Sequence, residues 1–279
     1  MWQRNKGSSK LEAIKPFWGG KMAGQHVRVV FNQKGGVGKS TIACNLAALS
    51  AQRGHRTLLI DLDPQSNSTQ YLMGEAAAGI SPSGADFFRR MLDITAPDRE
   101  LKDCIVKTPF DNLFVVPAVP ELEDFQSKLE SRYKIYKLRD ALRSLKGFDR
   151  VYIDTPPALG YYTRSALIAA DGCLIPWDCD TFSRQALYLL MANVDEIRSD
   201  HNADLKVEGV VANQFQPRAN LPRRMLEELR EEGLPVLGAT LSASVRIRES
   251  HDLAKPLAFL DPRHKVALEF EALLDELEG

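Results

Sequence analysis

Two lysines, Lys34 and Lys39, share one short glycine-rich stretch, "NQKGGVGKST" (32–41), with Gly35, Gly36 and Gly38 between them. Residues without a Cβ let successive backbone N–H groups point inward, and a ring of inward N–H groups cradles phosphate oxygens. A helix starting near Lys39 adds the positive end of its dipole at the same place. The order strand, turn, Gly-Lys-Ser, helix predicts a nucleotide site in which Gly35, Gly36, Val37, Gly38, Lys39, Ser40 and Thr41 surround the phosphates. Lys39 is expected to reach the β- and γ-phosphates and the Ser40 hydroxyl to hold Mg2+. The ordinary spacing G-x-x-x-x-G-K-[ST] has a glycine where this chain has Gln33. Lys39 already serves one triphosphate, so Lys34 is either a solvated side chain or is meant for a different phosphate group. Phosphoryl transfer has a use for the latter, since a cation supplied in trans stabilises the charge developing on the transferred group. That use implies a face-to-face dimer.

Carboxylates follow at two further places. "DLDPQSN" puts Asp61 at the end of an apolar run and Asp63 in the adjoining loop. Asp-Pro sequences also make Asx turns, but two carboxylates beside a phosphate loop repel each other unless a cation is near. "RVYIDTPPALG" is an apolar strand ending in Asp154, the Walker B form, which holds Mg2+ through a water; the plainer reading is a strand-end Asp capping the next helix.

The elements that position these groups alternate along the chain. Strands are expected at 27–31, 56–61, 112–118, 150–154, 173–177, 207–213 and 236–240, and helices at 39–53, 134–146, 182–199, 222–232 and 265–277. Continuously apolar strands separated by helices imply an α/β fold with a mostly parallel sheet covered on both faces, and ligands beyond the carboxyl ends of its strands. Residues 75–111 read as short helices and loops. Residues 1–25 read as a flexible polar tail and 26–279 as one domain. With 279 residues and a net charge of -1, any nucleic-acid contact must come from a local patch. Cys44, Cys104, Cys173 and Cys179 lack metal-ligand spacing and read as reduced core thiols. No secretory signal and no membrane span is read, so a cytoplasmic protein is expected.

"KGGVGKST" resembles the deviant Walker A motif of the ParA/MinD superfamily, and the later motifs resemble ParA in particular, over roughly residues 26–277. The resemblance implies a three-layer P-loop NTPase fold and an ATPase using ATP and Mg2+. Lys34 matches the signature lysine that crosses to the partner's nucleotide in an ATP sandwich dimer. Asp63 matches the residue that orients or activates the attacking water, while Asp61 would lie near the Mg2+ shell. "DTPP" matches switch II, so Thr155 to Gly160 should move with nucleotide state. Asn213, read as ending its strand, matches a residue that recognises adenine.

The last third separates the possible partners. "QPRANLPRR" resembles a DNA-contacting segment and matches Arg218, and "SVRIRESHDLAKPL" resembles a later one and matches Arg246. Arg223, Arg224, Arg248, Arg263 and Lys265 would broaden that patch, through sequence-independent phosphate contacts. Solvated arginines beside Glu227, Glu228, Glu231 and Glu232 are the plainer reading of the same residues. MinD-like membrane docking needs a terminal helix with a basic polar face, and "ALEFEALLDELEG" is acidic there, so it is expected to pack on the domain. The stretch before the first strand is too short for a helix-turn-helix domain. The resemblance implies a small-type ParA, nucleoid-associated, that dimerises with ATP on nonspecific DNA. A ParB-like protein or cargo adaptor stimulates its hydrolysis, and the cargo is a plasmid, a chromosome or a protein assembly. The rivals are an ATP-dependent carboxylate-activating synthetase and a positioning or scaffold ATPase that does not act on DNA.

Overall fold

Alternate residues of each expected strand face opposite ways, and both sets are apolar. In the computed structural model, which describes residues 24–179, 183–216 and 219–279, both sets are buried along the central strands, whereas Val236–Ser242 is only partly covered. In chain order the elements are β1 (His26–Val30), α1 (Lys39–Gln52), β2 (Thr57–Asp61), α2 (Asn67–Met73) and α3 (Gly84–Leu92). There follow β3 (Val106–Lys107), β4 (Leu113–Val116), α4 (Leu122–Ser131), α5 (Lys137–Ser144), β5 (Arg150–Asp154), α6 (Tyr161–Ala169) and β6 (Gly172–Trp177). The last third holds α7 (Ser183–Asp200), β7 (Lys206–Phe215), α8 (Asn220–Glu231), β8 (Val236–Ser242), α9 (Val245–Asp252), α10 (Leu257–Leu260) and α11 (Lys265–Glu278).

The eight strands form one sheet in the order β3-β4-β2-β5-β1-β6-β7-β8. All neighbours are parallel except the antiparallel pair of β3 and β4 at one edge. Val27, Val29, Val151, Ile153 and Ile175 point to one face, where α3 to α8 contribute the rest of a core. Val30, Leu59, Tyr152, Leu174 and Val211 point to the other, under α1, α2, α10 and α11. The result is the three-layer P-loop NTPase fold.

Pairing register puts the carboxylates level with each other. Val30 and Asp61 are both opposite Asp154 on its two sides, so β1, β5 and β2 end at one height. β1 lies between β5 and β6, and the chain leaves it toward β2 on the far side of β5, which opens a crevice at the ends of these strands. The terminal helix α11 buries Val266, Ala267, Phe270, Leu273 and Leu274 against the domain, as its apolar face implies. No helix of the described residues is long and apolar enough to cross a membrane. The four cysteines are unpaired and buried.

Several boundaries differ from expectation. The strand expected at 207–213 continues to Phe215, so Asn213 lies inside β7 and not at its end. The expected helix at 134–146 begins only at Lys137. The expected tail lies outside the described residues up to residue 23.

Candidate functional site

The loop after β1 is held in shape from outside. Asn32 donates from Nδ2 to the Pro176 carbonyl at 2.7 Å, and its Oδ1 accepts the Lys34 N–H at 2.9 Å. Asn213 Nδ2 donates to the Val37 carbonyl at 2.8 Å, and Gln214 Nε2 to the Gly36 carbonyl at 3.1 Å. With these outward carbonyls tied to β6 and β7, the loop's N–H groups are left to face the crevice. Gly36 and Gly38 have φ of 76° and 88°, in the left-handed region that glycine tolerates. A Cβ on Gly38 would also lie 2.3 Å from Asn213 Nδ2, so the loop and β7 touch without room for a side chain. Gly38 caps α1, which begins at Lys39.

Lys39 turns inward and is 7% exposed, its Nζ donating to the Lys34 carbonyl at 3.2 Å. Burial lowers its pKa, and the Asp154 and Asp63 carboxylates act against that shift. Asp154 is fully buried, and Ser68 donates to its Oδ2 at 2.7 Å while Oδ1 has no partner. Burial raises its pKa to about 6, although the hydroxyls of Ser40 and Ser68 and the charge of Lys39 favour the ionised form. A buried oxygen without a donor, beside a serine hydroxyl and the inward lysine, fits a hydrated divalent cation at Ser40 and Asp154.

Asp61 is placed differently. Its Oδ2 accepts from the Thr69 N–H and hydroxyl, both at 2.8 Å, and its Oδ1 from the Asp63 N–H at 3.1 Å. Burial, then the neighbouring Asp154 charge, raises its pKa well above the carboxylate range. It organises the turn carrying Asp63, whose own Oδ1 accepts the Gln65 N–H at 3.0 Å. Thr155 to Gly160 form an irregular segment, anchored where Thr155 Oγ1 donates to the Val30 carbonyl at 2.9 Å.

Lys34 points the other way from Lys39. Its side chain is 46% exposed and its ammonium is paired with Asp178, beyond the end of β6. Beside the loop, a cavity of about 590 Å³ is lined by Gly36, Gly38, Thr41, Asn213, Ile247 and Arg248. Three contributors escaped the sequence reading. Ser68 and Thr69 hold Asp154 and Asp61, and their only signal is a short hydroxyl pair after the DPQ turn. His251 stacks on Tyr71 with centroids 3.8 Å apart, its Nε2 is 2.9 Å from the Thr41 hydroxyl, and burial lowers its pKa. A lone histidine in a charged helix carries no such signal.

The expected arginines lie on separate elements. Arg218 lies outside the described residues. Arg223 and Arg224 are exposed on α8, which packs on one face of the sheet, while α9, with Arg246 and Arg248, packs through Ile247 on the other. Arg224 is 3.5 Å from Glu228, and Arg246 is 2.7 Å from Glu249 and 3.5 Å from Asp261. Arg248 opens onto the cavity beside the phosphate loop. Lys265 is 3.3 Å from Glu269.

Residues 25–207 match the family described as AAA domain. The chain is 36% identical over 251 residues to the chromosome partitioning protein ParA of Myxococcus xanthus, covering 89% of this chain and 86% of that protein. It is 34% identical over 241 residues to the sporulation initiation inhibitor protein Soj of Bacillus subtilis, covering 85% and 92%. The crystal structure of cobyrinic acid a,c-diamide synthase from Mycobacterium smegmatis with bound ATP analog and magnesium superposes with a TM-score of 0.77 at 28% identity, covering 90% and 93%. With the phosphate loop, the level carboxylates and these full-length likenesses in hand, the chain belongs to the ParA family of ATPases.

Proposed function

We propose that the chain is a positioning ATPase that binds ATP and Mg2+, dimerises on ATP, adheres to nonspecific DNA and is released by slow hydrolysis. The observation that carries this reading is the divergence of the two loop lysines: Lys39 is buried against Asp154 and Asp63, and Lys34 leaves the same loop for the exposed mouth of the crevice. One lysine serves the protomer's own triphosphate, and the other, held by Asp178 in the single protomer, would exchange that carboxylate for the partner's triphosphate.

In this mechanism the glycine loop binds the phosphates through its N–H groups, and Lys39 fixes the β- and γ-phosphates. Ser40 and Asp154 would hold Mg2+, which would supply positive charge to the phosphates. Asp63 orients the attacking water, and Lys34 of the companion protomer stabilises the charge on the transferred group. Asn213 holds adenine, and 155–160 senses the terminal phosphate. A ParB-like protein or cargo adaptor accelerates hydrolysis, in the cytoplasm and at the nucleoid, and the cargo is a plasmid, a chromosome or a protein assembly. Support comes from a relative named for chromosome partitioning that matches over most of the chain. The likeness to a diamide synthase keeps an ATP-dependent synthetase as the second reading.

Lys34→Ala tests the proposal. ATP binding is retained, while ATP-dependent dimerisation, read by light scattering, and hydrolysis fall to background. Wild-type turnover in this variant refutes the trans lysine. Turnover raised by a small carboxylate, and not by DNA with a partner protein, selects the synthetase.

A further inference from the structure

We infer that His251 is a positioning residue for the nucleotide: its Nε2–H holds the Thr41 oxygen so that the Thr41 hydroxyl proton is aimed at the phosphate nearest the nucleoside. The inference rests on ATP occupying the glycine loop, as read above. At the start of α1, Lys39 turns inward toward Asp154 and Asp63, and Ser40 stands beside Asp154. The next residue, Thr41, is about 100° further round the helix. It lines the cavity of about 590 Å³ that Asn213, Ile247 and His251 also line. A triphosphate with its terminal groups at Lys39 and Ser40 and its nucleoside in that cavity passes Thr41 with its innermost phosphate.

The direction of the hydrogen bond follows from what a phosphate can do. His251 Nε2 and the Thr41 hydroxyl are 2.9 Å apart, and either could donate. A phosphate oxygen only accepts, so a Thr41 hydroxyl facing it must donate to it, and the Thr41 oxygen is left to accept from His251. Without that donor the hydroxyl can turn back to a carbonyl of the preceding turn, the usual alternative for a threonine in a helix. His251 thus decides where the Thr41 proton points.

The imidazole is held in place from beneath. It stacks on Tyr71 with centroids 3.8 Å apart and planes 15° from parallel. Tyr71 is itself fixed, because Asn45 Nδ2 donates to its hydroxyl at 3.3 Å and to the Thr41 carbonyl at 2.9 Å. Ser250 Oγ donates to the Ile247 carbonyl at 2.7 Å, so it accepts from the Tyr71 hydroxyl, also at 2.7 Å. Tyr71, Asn45 and Ser250 are buried. One closed circuit therefore starts and ends at Thr41, and it runs through α2, whose Ser68 and Thr69 hold Asp154 and Asp61. Packing alone is served by any flat ring at position 251. What the imidazole adds is a donor on the edge that faces Thr41.

The test titrates ADP with Mg2+ into the full chain by calorimetry, which engages the innermost phosphate and leaves the ATP dimer out of the measurement. His251→Phe keeps a ring on Tyr71 and loses the donor, whereas His251→Gln keeps a donor and loses the ring. The inference expects His251→Phe to bind more than about fivefold more weakly, Thr41→Val about tenfold more weakly, and His251→Gln within about threefold of wild type. The double variant His251→Phe, Thr41→Val binds within about twofold of Thr41→Val alone, because the histidine acts only through that hydroxyl. In ATP turnover His251→Phe raises KM and leaves kcat within about twofold, since the innermost phosphate is not the group transferred. Thermal unfolding of the nucleotide-free proteins places His251→Phe with the wild type, as the buried stack is kept. Wild-type affinity in His251→Phe, equal weakening by Phe and Gln, effects that add in the double variant, or a fall in kcat with KM unchanged each overturn the inference and leave His251 as packing. If the wild type itself binds no ADP, the nucleotide reading fails first, a result distinct from all of these.

Discussion

Replacing Asp154 by Asn should make the nucleotide-free protein more stable and abolish its chemistry. Burial raises the Asp154 pKa from 3.8 to about 6. A raised carboxyl pKa means that folding favours the protonated form, so the group's stabilising effect is complete below about pH 4 and is lost as pH rises through about 6. At 1.36 kcal/mol per unit, ionised Asp154 costs about 3 kcal/mol at pH 7.5 and about 1 kcal/mol at pH 4.5. The amide still offers an oxygen to Ser68, and the weaker hydrogen bonds subtract about 1 kcal/mol. Asp154→Asn should then match the wild type near pH 4.5 and exceed it by about 2 kcal/mol near pH 7.5. Urea unfolding of metal-free, nucleotide-free protein at the two pH values measures this. Hydrolysis should fall by more than about a hundredfold with the cation's holder removed. A variant less stable than wild type near pH 7.5, or an equal difference at both pH values, refutes the reasoning that a site built for a cation strains the protein without one.

Asp63→Ala should keep ATP binding and stop turnover, so that light scattering finds the ATP dimer persisting where the wild type returns to monomer; turnover within about twofold of wild type removes Asp63 from the reaction. Gly38→Ala places a Cβ in left-handed backbone and 2.3 Å from Asn213 Nδ2, and should cost about 2–3 kcal/mol and most of the ATP affinity. Adding Asn213→Ala clears the collision but not the backbone strain, so calorimetry should find only part of the loss restored; no loss in the single variant means the loop yields.

The phosphate loop and the placing of Asp63 and Asp154 beside it were legible because the pattern is local: a glycine turn, a strand end, an acid. The central strands were legible because parallel strands buried on both faces read as unbroken apolar runs. α6 was missed because "YYTRSALIA" is buried almost all round and so lacks an amphipathic period. The antiparallel edge strand β3 is two residues long and gives no pattern. The surroundings of Arg246 were not legible for a different reason: Asp261 is fifteen positions on, and only the folded chain brings the two within 3.5 Å. What pattern reading lacks in each case is the identity of the neighbour.

The strand order carries a consequence for how the protein is made. Within the sheet β1 pairs only with β5 and β6, while β2 reaches the rest of the sheet only through β4 and β5. A ribosome therefore releases the phosphate loop long before either strand that flanks β1 exists, and a chain cut short of β5 has two open edges on its first strand. Such fragments cannot capture nucleotide and are conspicuous to quality control, so the late arrival of one central strand separates finished molecules from failed ones.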